Sequence, residues 1–187
     1  LEIFTTRPDT IFGVTYLTLA PEHGLVKSIT TPEKEKEVED YIVKVSAKSD
    51  RERQAEVKNI SGVFTGGYAI HLFTKVEIPI WIGDYVLASY GTGAVMAVPS
   101  GDQRDFDFAR HFKLRIINIF DGIDVSKKAF VEKDNIKLTH SSFLNGMNYK
   151  EAIQKIILEL EENNYGRGAV NFKLRDAIFS RQRYWGE

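Results

Sequence analysis

Cysteine is absent from these 187 residues, so disulfides and thiolate metal sites are excluded, which suits a reducing compartment and an expected cytoplasmic location. An excess of one charge is lacking too: 25 Lys and Arg stand against 26 Asp and Glu, for a net charge of -1. No large basic field exists, so strong autonomous binding to nucleic acid is not expected, although local contacts remain open. No apolar run is long enough to cross a bilayer, so no membrane partner is expected. The four histidines, His23, His71, His111 and His140, lack ligand spacing, and no metal site is expected. No serine stands in a nucleophile elbow, so covalent catalysis has no candidate. Internal repeats and low-complexity stretches are also missing. The chain opens Leu1-Glu2-Ile3-Phe4 and closes Tyr184-Trp185-Gly186-Glu187, and we expect a piece of a longer protein.

What is present is a chain long enough for one domain with a sizeable core. Residues 1–6 and 15–19 read as short strands around an Arg7-Pro8-Asp9 turn. A helix is expected from Thr31, with Pro32 at its first position and Val38, Tyr41, Ile42 and Val45 on one face. Ser49 and Glu52 have capping-box spacing for a second, more polar helix. Residues 76–82, 85–89 and 94–98 are apolar runs broken by Gly and Asp, with Pro79 pointing to an edge or a bulge. Asp102 begins a helix that carries Phe108, Ala109 and Phe112 inward, and residues 116–120 form another strand candidate. Residues 121–143 read as a surface excursion. Asn148 and Glu151 box the start of the clearest helix, whose stripe includes Ala152, Ile156 and Leu160 and which Gly166 ends. Short strands with scattered helices, without regular alternation, predict a mixed α/β domain around a small β-barrel core.

Two segments could carry chemistry. Thr5-Thr6-Arg7-Pro8-Asp9-Thr10 packs three hydroxyls, a guanidinium and a carboxylate around one proline. Its hydroxyls either bond locally while Arg7 pairs with Asp9 across a turn, or converge on a developing oxyanion. Gly91-Thr92-Gly93-Ala94-Val95-Met96-Ala97-Val98-Pro99 is a glycine-hinged apolar strand leading into Asp102-Gln103-Arg104-Asp105. Its Gly-Thr-Gly lacks the ending of a phosphate loop, and close backbone approach is the expected use. Asp102 and Asp105 either satisfy the amides of a helix start or face a ligand, with Asp105 able to meet an ammonium.

In these residues, and in Ser180-Arg181-Gln182-Arg183-Tyr184-Trp185-Gly186 at the tail, the chain resembles the inserted editing domain (connective polypeptide 1) of leucyl-tRNA synthetase. The likeness spans nearly the whole chain. It implies the barrel-cored fold of the leucyl, valyl and isoleucyl editing domains, with residues 1–168 as the editing domain. Residues 169–187 would be a strand returning toward the synthetase catalytic domain. The implied activity is post-transfer editing: hydrolysis of the ester joining isoleucine, norvaline or methionine to leucine tRNA. Asp105 would hold the α-ammonium and Thr10 would block leucine. Thr5 and Thr6 would line the ester, with Asp102 also assigned to catalysis. Arg7, Asp9 and Arg104 would contact the substrate, Met96 and Val98 would form an apolar wall, and Tyr90 would approach the terminal adenosine.

No cofactor is implied, and the expected partners are leucine tRNA and the rest of the parent synthetase, in a monomer. The His-x-Gly-His and Lys-Met-Ser-Lys-Ser signatures of an ATP site are absent, so this chain is not expected to activate leucine. Many relatives carry a histidine just before the aspartate matching Asp102, where this chain has Ser100-Gly101. That difference leaves an acceptor-end binding module without hydrolysis as one alternative, and a valyl- or isoleucyl-type editing domain is the other.

Overall fold

In the computed structural model, which describes residues 1–49, 52–53, 60–89, 91–133 and 136–170, the apolar runs pair into one sheet. Its strands are β1 (Tyr16–Leu19), β2 (Gly62–Ile70), β3 (Glu77–Gly83) and β4 (Ala94–Ala97). Their spatial order is β2-β3-β1-β4. β1 runs parallel to β3 and antiparallel to β4, and all of its residues are buried. A strand covered on both faces needs no polar alternation. Its one polar side chain besides Tyr16, Thr18, shares a 2.9 Å hydrogen bond with the Tyr85 hydroxyl.

Among the described residues β2 and β4 are free edges, so the architecture is mixed α/β with an open four-stranded sheet. The small closed barrel expected from the strand count is not formed there. Three expected strands do not join the sheet, each for its own reason. In residues 1–6 the Thr5 hydroxyl takes the Arg7 amide, a local bond that competes with a ladder. In residues 85–89 the Val86 carbonyl, like that of Asp84 just before, is taken by the Arg53 side chain instead of a neighbouring strand. Residues 116–120 contribute a single bridge, Phe120 to Leu138. Pro79 lies in β3, an interior strand, opposite Tyr68 beside a register shift, so the bulge and not the edge accommodates it.

The helices are α1 (Val26–Ile29), α2 (Glu35–Ser46), α3 (Gln103–His111) and α4 (Tyr149–Glu162). α2 starts at Glu35, three residues after Pro32, and buries Val38, Tyr41 and Val45. Ser49 and Glu52 make their box, with Glu52 and Arg53 helical; residues 54–59 lie outside the described residues. α4 carries the complete capping box of Asn148 and Glu151, and it ends at Glu162, short of Gly166. The excursion at 121–143 is no mere surface loop. Val125 and Leu138 join the main core, and the Phe130 amide donates to the Ser100 carbonyl at 2.8 Å. A second cluster of Tyr16, Ala97, Phe108 and Ala109 seats α3 on β1 and β4, with the Tyr16 and Phe108 rings stacked at 5.0 Å. No helix among the described residues is long and apolar enough to cross a membrane. Residues 171–187, and with them most of the expected returning strand, lie outside the described residues.

Candidate functional site

The Thr5–Thr10 segment folds on itself before it faces anything else. Pro8 opens a 3-10 helix, Pro8–Gly13, where its fixed φ and missing N–H cost nothing. The Arg7 amide donates to Thr5 Oγ1 at 3.0 Å, and Thr10 Oγ1 donates to the Arg7 carbonyl at 2.9 Å. Arg7 grips Asp9 through two nitrogens, Nε to Oδ1 at 3.0 Å and Nη2 to Oδ2 at 2.8 Å. Asp9 is 1% exposed and does not line the cavity described below. Its carboxylate instead orients Arg7, whose guanidinium lies 5.0 Å above the Tyr149 ring. Gly13 lets this helix press on the end of β4: a Cβ there would sit 2.9 Å from Val98 Cγ1.

The two aspartates at the start of α3 divide the work. Asp102 is the N-cap, its Oδ1 accepting the Arg104 amide at 2.8 Å and the Asp105 amide at 3.1 Å. Asp105 is thereby released from capping. Its Oδ2 turns back to accept the Val98 amide at 2.8 Å. With the residue only 9% exposed, burial first and the neighbouring Asp102 charge second push the Asp105 carboxyl up to about 8. Beneath it, the Tyr16 hydroxyl donates to the Asp105 carbonyl at 3.3 Å. Burial also raises the Tyr16 and Tyr85 hydroxyls, which stay protonated donors.

Both halves face one cavity of ≈ 950 Å³. Thr5, Thr6, Arg7 and Thr10 line it together with Asp102, Arg104 and Asp105, with Met96 and Val98 among the apolar lining. Tyr90 lies outside the described residues. Gly91 and Gly93 adopt φ of 62° and 70°, and a Cβ on Gly91 would meet Phe4, a cavity residue, at 3.0 Å. The glycines thus serve close backbone approach, as their spacing suggested. Gln103, from the second segment, also lines the cavity, as do Phe4 and Tyr85, which are not among the site residues expected from the sequence. Tyr85 sits under the Arg104 guanidinium at 5.6 Å, and only its place after Gly83-Asp84 at a strand end hints at a ligand-facing loop.

In a mixed α/β domain, hydroxyls, a guanidinium and a buried aspartate thus line one concave pocket, the kind of place in a fold where small ligands bind. The family described as "Leucyl-tRNA synthetase, editing domain" matches residues 1–161. A leucine–tRNA ligase from Flavobacterium psychrophilum is 62% identical over 192 residues, covering 100% of this chain and 20% of its own length. One from Christiangramia forsetii is 63% identical, covering 99% of this chain and 19% of its own. The crystallised AgnB2 LeuRS of Agrobacterium radiobacter K84, in a ternary complex with tRNA and LeuAMS, matches at 30% identity and a TM-score of 0.65. That match covers 89% of this chain and 18% of the other. The chain belongs to the leucyl-tRNA synthetase editing-domain family. It spans about a fifth of the length of the curated relatives it matches.

Proposed function

We propose that this domain hydrolyses the ester joining a wrong amino acid to the terminal adenosine of leucine tRNA. A synthetic pocket separates side chains differing by one methylene by only about 1–3 kcal/mol, so a second, hydrolytic pocket adds what binding cannot. The observation that supports the reading is that Asp105 lines the same cavity as Thr5, Thr6 and Thr10. Asp105 binds the substrate's α-ammonium, which favours the carboxylate that burial opposes. Water adds to the ester carbonyl carbon, Thr5 and Thr6 stabilise the oxyanion, and Arg7 balances charge nearby. The ribose oxygen then leaves with a proton, giving free amino acid and a tRNA with its hydroxyl restored. Thr10 Oγ1 is already committed to Arg7, so Thr10 meets the ligand as a steric body and excludes leucine. Met96 and Val98 contact the side chains of isoleucine, norvaline or methionine, Arg104 the substrate's polar end, and Tyr90 the adenosine. Asp102 acts by holding the start of α3 and by its charge on Asp105.

In this reading residues 1–168 are the editing domain and residues 169–187 lead back to the parent synthetase, a cytoplasmic monomer that holds the tRNA body. The test is Asp105→Asn in that full-length protein. Losing the ammonium's partner costs about 3 kcal/mol, a slowing of isoleucine release of roughly a hundredfold. An Asp105→Asn protein that releases isoleucine at the unmodified rate refutes the assignment. One observation favours a second reading: Gly101 lines the cavity where relatives place a histidine, as a binding module without hydrolysis would allow. The same assay decides, because such a module releases nothing even when unmodified.

A further inference from the structure

Arg53 is 5% exposed and lies outside both chemical segments. Its Nε donates to the Asp84 carbonyl at 2.8 Å and its Nη2 to the Val86 carbonyl at 2.7 Å. Its Nη1 meets Glu22 Oε1 at 2.6 Å, which neutralises the buried charge. The two carbonyls flank Tyr85, and the loop they belong to leaves β3 with no strand partner to hold it among the described residues. Side chains from distant segments do that work. The Asp84 amide donates to the Tyr41 hydroxyl at 3.0 Å, and the Tyr85 hydroxyl is bonded to Thr18. Tyr85 itself lines the cavity, with Arg104 over its ring and Phe108 against it at 5.8 Å.

We infer that Arg53 is a positioning residue for the cleft: its planar fork clasps the two carbonyls around Tyr85 and thereby fixes the aromatic wall beside Asp105. Only a guanidinium presents several donors in a rigid fork, whereas a lysine ammonium is a single point on a flexible stem. With Glu22 balancing its charge, Arg53 acts on the cleft through geometry and not through its field. The inference rests on the editing reading, because the wall matters through the ligand that it positions.

The experiment measures release of isoleucine from isoleucine-charged leucine tRNA by the full-length synthetase carrying Arg53→Met, Arg53→Lys, Tyr85→Ala, or Arg53→Met with Tyr85→Ala. Loosening the wall raises KM about tenfold in Arg53→Met and changes kcat less than about twofold. Arg53→Lys keeps the charge without the fork and shares the defect; it carries the test should Arg53→Met fail to fold. The double variant is no worse than Tyr85→Ala, because Arg53 acts through that ring. An unchanged KM with kcat falling in step with loss of folded protein overturns the inference, as does a double variant whose defects multiply. Absence of hydrolysis in the unmodified protein instead overturns the editing reading. The clasp is then judged by the 13C-tyrosine signal of Tyr85, assigned with Tyr85→Phe: a shifted or broadened signal in Arg53→Met supports it, and an unchanged one refutes it.

Discussion

Asp105 sits where folding disfavours its charge, and that tension is measurable. Its carboxyl rises from 3.8 to about 8 on folding, so between those values the folded chain holds a proton that the unfolded chain has lost. Stability therefore falls as pH rises from about 4 toward 8. Asp105→Asn keeps an oxygen for the Val98 amide and removes the titration. Thermal unfolding from pH 5 to 9 should show the Asn variant gaining on the unmodified protein until pH 8, with the gap constant above it. A gap that does not move with pH contradicts the buried-carboxyl account. In the proposed reading such a residue trades stability for binding, as functional groups commonly do. Thr10→Ala tests the other chemical segment of the cleft. It should let leucine-charged tRNA be hydrolysed, with a gain of roughly tenfold or more for one removed steric group; protection of leucine unaltered by the change removes Thr10 from the specificity role.

At the scale of elements, the cleft depends on how the 3-10 helix is fastened. His71, at the end of β2 where the chain turns toward β3, bonds the Ile11 carbonyl through Nε2 at 3.0 Å. Its Nδ1 accepts the Phe73 and Thr74 amides, both at 3.1 Å, which assigns the neutral tautomer with the proton on Nε2. Burial holds its pKa below 6.5, so the stability it contributes is present above that value and is lost as pH falls below it. His71→Leu takes the acceptor from the Phe73 and Thr74 amides and leaves the Ile11 carbonyl only the Val14 amide, and should cost about 2 kcal/mol, read from denaturant unfolding. Asn148→Ala removes a cap from α4 and should cost about 1 kcal/mol while leaving the hydrolysis rate of the folded protein unchanged. A rate that falls with it would mean that α4 reaches the chemistry, for instance through Tyr149 under Arg7.

The caps are legible in the sequence because Asn148-Glu151 and Ser49-Glu52 are local patterns whose partners lie three residues apart. The apolar runs are legible too, but not their partners. Residues 85–89 look like a strand until Arg53, more than thirty positions away, takes the carbonyls of residues 84 and 86. His71 has no metal-ligand pattern around it, and no local signal ties it to Ile11, sixty positions away.

For the whole molecule, one pairing joins the two chemical segments. Tyr16 lies opposite Ala97 in the β1–β4 ladder, and the Thr15 amide donates to the Ala97 carbonyl at 3.2 Å. That register brings the chain leaving the 3-10 helix beside the chain entering α3, so Thr10 and Asp105 face one cavity. Both segments stand out in the sequence, whereas their meeting depends on a register that no local pattern specifies. The polar stretch at 121–143 is harder to read for the same reason. Its apolar residues fall in short groups (Ile123 and Val125, Ala129 to Val131, Ile136 and Leu138) with no sustained period, yet Phe130 packs on Phe120 at 5.1 Å and Val131 lines the cleft. The most direct test of the account is amino-acid release by the unmodified full-length protein from leucine tRNA charged with isoleucine, norvaline or leucine. The account predicts rapid loss of isoleucine or norvaline and survival of leucine. Equal loss of all three, or loss of none, would contradict it.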